Sequence, residues 1–134
     1  MNLFMMKKEE KILLYNFKNK DELAALKSLI ESMKINVILA DEKACWQKVG
    51  FLFGLKGFSE NHSEDEAFSF NYELMMFHNF TKSRLDTVLK KMREQNLKVP
   101  VCKAVVTSFN RFWTLRRVCE AMEKEHLSMR KDEK

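Results

Sequence analysis

The sequence has few of the residues that interrupt regular structure: only three glycines and one proline among 134 residues. Disordered and low-complexity chains are rich in such residues and poor in apolar ones. A hydrophobic content of 46% beside 32% charged residues excludes that class here. Because the length is typical of one domain, we expect residues 1–134 to share a single core.

Long apolar runs are also absent. No segment reaches the roughly 18 to 20 apolar residues that span a bilayer, and the stretch before Lys7 is too short for a signal peptide. The three cysteines, Cys45, Cys102 and Cys119, form no C-x-x-C pair and lie in apolar segments, which is typical of reduced, buried thiols. We therefore expect a cytoplasmic protein that does not use a membrane.

Signatures of common enzyme classes are missing as well. The chain has no phosphate-binding loop, no G-x-G-x-x-G after a strand, no G-x-S-x-G elbow and no H-E-x-x-H motif. His62 lies alone in an acidic segment, and His78 is the histidine placed near a strand end. The sequence identifies no catalytic residue and no metal ligand, leaves any cofactor unknown, and favours a protein without catalysis.

What the sequence does contain is an alternation of short apolar runs and helical patterns. The runs at 11–17, 35–40, 73–80 and 99–107 predict strands that are apolar on both faces. This pattern predicts an α/β fold, with a small four-stranded, mainly parallel sheet made of two β-α-β-α halves and helices on both faces. A ferredoxin-like α+β sandwich with a mixed sheet is the alternative. In the parallel arrangement, we expect the polar ends of the strands to meet at one edge.

The helical patterns between the runs have their own start and stop signals. Asn19, Thr81 and Thr114 are placed to cap three helices, and the spacing of Leu26 and Ile30 gives the first helix a buried stripe. A shorter second helix contains Trp46, Val49 and Phe53 and ends at Gly54. We expect the highly charged tail from Ser128 to be frayed.

The two halves resemble each other in sequence. Asn-Phe closes the first predicted strand of each half, at Asn16 and Asn79, and the apolar spacing of the following helices repeats at an offset of 62 to 63 residues. We interpret 11–55 and 73–127 as a pseudo-repeat within one domain. An acidic connector at 56–72, most acidic at 60–66, lies between them.

Polar turns follow the predicted strands, and the turn at 107–114 is the most distinctive. Asn110 and Arg111 are suited to bind the oxygens of an anion, and the neighbouring aromatic side chains are suited to stack on an apolar ring. The sequence therefore predicts a site for a small anionic ligand. Its candidate residues are Thr107, Ser108, Asn110, Arg111, Trp113, Asn16, Asn79 and Lys82. A structural role explains the same turn, because asparagines often bond to their own backbone and aromatic rings pack beneath loops.

The net charge of +5 is unevenly placed, and this suggests a second function. Residues 1–67 hold 10 basic and 11 acidic side chains and residues 68–134 hold 14 and 8, so the halves carry −1 and +6. A basic half indicates an anionic partner, and nucleic acid is the alternative function. The candidate residues are Lys82, Arg84, Lys90, Lys91 and Arg93. Exposed basic side chains also keep small domains in solution, and no nucleic-acid-binding motif occurs.

A third hypothesis is a homodimer or a protein partner held by the apolar run 49–55. Its contact residues are Val49, Phe51, Leu52 and Phe53. An exposed patch of this kind would mark an interface. Burial in the chain's own core explains the run equally well.

The segment 100–115 contains Lys103-Ala-Val, then Thr107 and Asn110, and then Trp113-Thr-Leu. In these residues it resembles the closing signature of a family of short bacterial proteins catalogued as a domain of unknown function. The resemblance runs from about Lys11 to His126, and Ser108 stands where the family pattern has a proline. The family implies no activity, cofactor or partner, so the resemblance supports the fold and directs attention to this loop.

Overall fold

The structure is a computed structural model that describes residues 9–61 and 68–132. Strands and helices alternate along this part of the chain, as the sequence predicts. In chain order the elements are β1 (Lys11–Tyr15), α1 (Lys20–Ser32), β2 (Asn36–Ala40), a 3-10 helix (Glu42–Trp46), α2 (Val49–Leu52), β3 (Leu74–His78), α3 (Lys82–Glu94), β4 (Cys102–Val105), a second 3-10 helix (Asn110–Phe112) and α4 (Leu115–Asp132).

The four strands form one sheet in the order β2-β1-β3-β4. β1 is parallel to β2 and β3 is parallel to β4, whereas the central strands β1 and β3 are antiparallel. The predicted small four-stranded α/β fold is confirmed. The expectation that all strand ends meet at one edge is wrong, because the antiparallel central pair sends the two halves in opposite directions.

Helices cover both faces of the sheet. α1 and α3 bury one face with side chains such as Leu26 and Val88 against Ile12 and Phe77. The first 3-10 helix, α2 and α4 bury the other face. The central strands are therefore enclosed on both sides, which explains why their sequences are continuously apolar.

The helices begin at the residues that the sequence marks as caps. The side chain of Asn19 accepts hydrogen bonds from the amides of Asp21 and Glu22, and Thr81 and Thr114 cap α3 and α4 in the same way. The second predicted helix is shorter than expected, since it divides into a 3-10 helix and the four-residue α2. α4 continues to Asp132, so the expectation that the chain frays from Ser128 is wrong.

Reciprocal hydrogen bonds join the two halves on the face covered by α2 and α4. The amide of Val49 donates to the carbonyl of Trp113, and the amide of Leu115 donates to the carbonyl of Gln47, both at 2.9 Å. The central strands also pair symmetrically about Leu13 and Met76. The two halves thus occupy equivalent positions on either side of the β1–β3 strand pair, which we call the antiparallel seam.

Candidate functional site

The loop after β4 is held by hydrogen bonds from its own side chains. Oγ1 of Thr107 accepts from the amides of Phe109 and Asn110 at 3.2 and 3.0 Å. Oδ1 of Asn110 accepts from the amide of Thr107, and its Nδ2 donates to the carbonyl of Val105, both at 2.8 Å. The polar side chains that the sequence assigns to an anion therefore maintain the shape of the turn.

Phe109 and Phe112 of this loop lie outside the core, whereas Trp113 packs against it. Phe109 is 77% exposed and Phe112 is 56% exposed, although large apolar side chains usually avoid such exposure. The guanidinium of Arg111 lies 5.2 Å from the centre of the Phe112 ring. Phe58, from the other half of the chain, packs against Phe112 at a ring-centre distance of 5.4 Å. We call Phe58, Phe109, Arg111 and Phe112 the aromatic corner.

Gly50 gives the aromatic corner its support. A Cβ atom at Gly50 would lie 2.4 Å from the ring of Phe58, so only glycine leaves room for that ring. Phe58 in turn contacts Phe112, which fixes one side of the corner to α2. Sequence analysis missed Phe58, since it lies in a segment without periodicity and nothing local signals its contact with a loop 54 residues away.

Several basic residues are close in sequence to the aromatic corner. Residues 103–119 contain four basic side chains and no acidic one: Lys103, Arg111, Arg116 and Arg117. Arg117 lies over the half-buried ring of Trp113 at 4.1 Å. Arg116 lies between the rings of Trp46 and Phe68, at 5.1 and 5.2 Å. Arg111 and Arg117 thus lie against aromatic rings of the loop, whereas Arg116 also pairs with the carboxylate of Glu120 at 3.6 Å.

Asn16 and Asn79 lie at opposite ends of the sheet. Both adopt the left-handed region, with φ of 69° and 66°. Nδ2 of Asn16 donates to the carbonyls of Phe70 and Tyr72, at 2.7 and 2.8 Å, just before β3. Nδ2 of Asn79 donates to the carbonyl of Glu9, at 2.8 Å, just before β1. Each asparagine thus ties the end of one central strand to the start of the other.

Asn16 lies apart from the other predicted ligand residues. A cavity of about 460 Å³ adjoins Asn16 and is lined by Tyr15, Trp46 and Phe68 among others, but by neither Asn79 nor any residue of 107–114. Lys82 is exposed at the start of α3, and Ser108 is exposed in the loop. The antiparallel central pair places Asn16 at one end of the sheet, whereas Asn79 and the loop at 107–114 follow the parallel strands β3 and β4 at the other end.

The basic residues of α3 have separate surroundings. Nε of Arg84 is bonded to both carboxylate oxygens of Glu10, at 3.1 and 3.0 Å, and its Nη2 donates to the carbonyl of Met33. Lys90, Lys91 and Arg93 are exposed. Asp86 lies one turn from both Lys82 and Lys90 in a shared groove, so acidic and basic groups alternate there. Arg84 is used within the fold, and the remaining residues do not form a continuous basic strip.

The apolar run that suggested an interface is mostly internal. Val49 and Phe53 are 0% and 1% exposed, so neither side chain is at the surface of the chain. Phe51 and Leu52 are half-buried, and Leu52 packs against the same core. The hydrogen bonds that join the two halves, from Val49 to Trp113 and from Leu115 to Gln47, enclose this apolar run.

The thiols are enclosed as well. Cys45, Cys102 and Cys119 are unpaired and buried on the α4 face of the sheet. Burial raises the pKa of all three thiols and that of the Tyr15 hydroxyl, which shares a hydrogen bond with Cys45. Thiolate, the reactive form, is therefore disfavoured at neutral pH.

Within the residues that the structure describes, no group of three or more histidine, cysteine or acidic side chains is placed to hold a metal ion. His62 lies outside the described residues. In the same part of the chain, none of the helices combines the length and apolar character needed to cross a membrane.

The two ends of the central strand pair differ in charge. At one end Arg84 pairs with Glu10. At the other end Glu73 faces Glu22, and burial together with that carboxylate raises the pKa of Glu73, although Lys98 opposes the shift. Ionisation of Glu73 therefore costs stability as the pH rises through its raised pKa.

We expect Glu73→Gln to stabilise the protein at pH 7, by about 1–3 °C in Tm. The gain disappears near pH 4, roughly the ordinary pKa of glutamate, where the wild-type carboxyl is also neutral. Thermal unfolding of both proteins across this pH range tests the prediction. Glu10→Gln is the matched control and lowers Tm at pH 7, because it removes the carboxylate partner of Arg84. A lower Tm for Glu73→Gln at pH 7 contradicts the prediction.

Residues 73–129, which run from just before β3 to near the end of α4, match the model of a family described as Domain of unknown function (DUF3783). This agrees with the resemblance drawn from 100–115, while the match bears neither on a bacterial source nor on the individual signature residues. No curated protein and no solved structure matches the chain in these comparisons. The family match assigns no activity.

Proposed function

We propose that this protein is a non-catalytic interaction domain that docks a protein partner on the aromatic corner. The observation that carries the proposal is the exposure of Phe109 and Phe112, at 77% and 56%, on a loop whose shape is fixed by internal hydrogen bonds. Aromatic side chains and arginine are the residues that contribute most to protein interfaces. Because the loop is already ordered, binding costs little conformational entropy there.

The charge around the corner determines the chemistry of the partner. Residues 103–119 contain no acidic side chain, and Arg111 lies against the exposed ring of Phe112. A complementary partner segment therefore carries acidic groups beside one or two apolar side chains. The partner is thus a short acidic segment with apolar anchors.

A small anion is the weaker candidate for this loop. Thr107 and Asn110 already use their side-chain oxygens and amide within the turn. Of the polar residues predicted from the sequence, Arg111 is the one whose cation lies at the surface beside an apolar ring. That combination favours a partner with both charged and apolar groups.

The three buried, unpaired cysteines support a reducing compartment such as the cytoplasm as the place of this interaction. The reciprocal bonds between the halves, together with the 62-residue offset between the capping residues Asn19 and Thr81, support the duplication proposed from the sequence.

A displayed peptide library tests the proposed function. We expect selection on the wild-type protein to enrich peptides that combine acidic and apolar residues. Phe109→Ala and Arg111→Glu each raise the Kd of an enriched peptide at least about tenfold, measured by fluorescence anisotropy. Added salt weakens wild-type binding, because the charged contacts are exposed.

Met129→Ala is the matched control, since Met129 is an exposed apolar side chain at 58% but lies on α4, away from the corner. It leaves the Kd unchanged. Enriched peptides that bind Phe109→Ala and Arg111→Glu as tightly as the wild type overturn the proposal, and so does a library that yields no binder.

A further inference from the structure

β2 is an outer strand of the sheet, and its outer side is unpaired within the described residues. The amide of Asn36 donates to the carbonyl of Glu10 on the β1 side. Backbone direction alternates along a parallel strand, so Ile38 and Ala40 also bond towards β1, while Val37 and Leu39 direct their amides and carbonyls outward. These outward groups form a ready template for another strand.

The two outer strands differ in how they are protected. β4 carries Lys103, whose Nζ donates a hydrogen bond to the carbonyl of Pro100. The carbonyl of Val105, also on β4, accepts a hydrogen bond from Nδ2 of Asn110. Such a lysine and such a capped carbonyl are devices that block pairing at a sheet edge. β2 has no charged residue, and Leu39 is 49% exposed. β2 is therefore the open edge.

The charges at the ends of β2 suit pairing with a second copy. Lys34 precedes the strand, and Asp41 and Glu42 follow it. When two such strands lie antiparallel, the basic start of each meets the acidic end of the other. β4 is preceded by Lys98 and followed by Arg111, so the same arrangement there would bring like charges together.

We propose that two copies of the chain pair antiparallel through β2 and form one continuous eight-stranded sheet. Ile38 lies on the two-fold axis, and Val37 of each copy is opposite Leu39 of the other. This register pairs the outward amides and carbonyls of both residues and covers the exposed side chain of Leu39. The inference goes beyond the proposed function, since the aromatic corner follows β4 at the opposite side of each sheet and stays free.

Sedimentation equilibrium of the full chain tests the dimer. We expect a mass of twice 16.0 kDa for the wild type at roughly 100 µM. Leu39→Lys places a charge on the open edge and raises the dimer dissociation constant at least about tenfold. Val105→Lys is the matched control, because it makes the same change at an exposed position of β4, and it leaves the dimer intact.

A second pair of variants covers the case in which Leu39→Lys does not fold. Val37→Pro removes an amide that bonds to no strand within one chain, so it keeps the monomer fold, as circular dichroism will show, and abolishes the dimer. Ile38→Cys gives an intermolecular disulfide on oxidation, because antiparallel neighbours on the axis are close enough to bridge. A monomeric wild type overturns the proposal, as does a dimer that Val105→Lys disrupts and Val37→Pro does not.

Discussion

Replacing Phe53 with alanine is expected to lower the free energy of unfolding by about 3–5 kcal/mol. The side chain is 1% exposed and belongs to the core between the sheet and α4. Its ring packs against His78 at 5.6 Å, and its carbonyl accepts a hydrogen bond from Nζ of Lys11 at 2.8 Å. Truncation therefore leaves a cavity at a junction of both halves. Urea denaturation followed by circular dichroism measures the loss.

Phe109→Ala is the matched control for this substitution. Because that ring is 77% exposed, the same change alters stability by no more than about 0.5 kcal/mol. If the free energy of unfolding of Phe53→Ala is also within about 0.5 kcal/mol of the wild-type value, the ring is on the surface. The apolar run at 49–55 is then again a candidate interface.

Asn16→Ala is the second substitution with a large expected effect, a loss of about 2–4 kcal/mol. Alanine at φ of 69° carries the strain of the left-handed region, about 1–2 kcal/mol. It also removes the bonds to the carbonyls of Phe70 and Tyr72, which together contribute about 1–2 kcal/mol. Chemical denaturation at neutral pH measures the sum.

Two glycine variants separate these contributions. Asn16→Gly keeps the backbone conformation and loses the side-chain bonds, so we expect it to cost about 1–2 kcal/mol. Asn96→Gly is the control, since Asn96 has φ of 58° at an exposed turn, and its stability stays within about 0.5 kcal/mol of the wild type. An Asn16→Gly protein as stable as the wild type would show that the amide contributes nothing.

Local features of the fold were predictable because their signals lie within a few residues. Asn19, Thr81 and Thr114 cap the helices that the sequence assigns to them. The stripe through Leu26 and Ile30 is buried as its spacing of four indicates. In each case the interaction joins residues less than two helical turns apart.

The direction of the central strands was not predictable from apolar content. A strand that is covered on both faces has the same apolar sequence whether its neighbour is parallel or antiparallel. The sequences of β1 and β3 therefore did not indicate the orientation of these strands relative to each other. The direction depends on contacts between residues more than 50 positions apart, such as those from Asn16 to Phe70 and Tyr72.

The sequence directs attention to the loop at 107–114, and the structure shows that its polar side chains bond within the turn. The sequence shows that Asn110 can bond, and it cannot show that Thr107 and Val105 are its partners. Likewise, helical spacing does not tell whether Phe109 and Phe112 pack under a loop or stand outside it. The contact that Phe58, beside Gly50, makes with Phe112 joins residues 54 positions apart, so no local signal shows it.

The antiparallel seam bears on the segment that the family model matches. Residues 73–129 contain β3, whose residues 74–77 are at most 1% exposed because β1 lies beside them. A polypeptide of that segment alone would keep β4 beside β3 but would leave the other side of this apolar strand unpaired. Such a half would need a companion half to pair with that side of β3, and in this protein residues 11–55 are that companion, carried on the same chain.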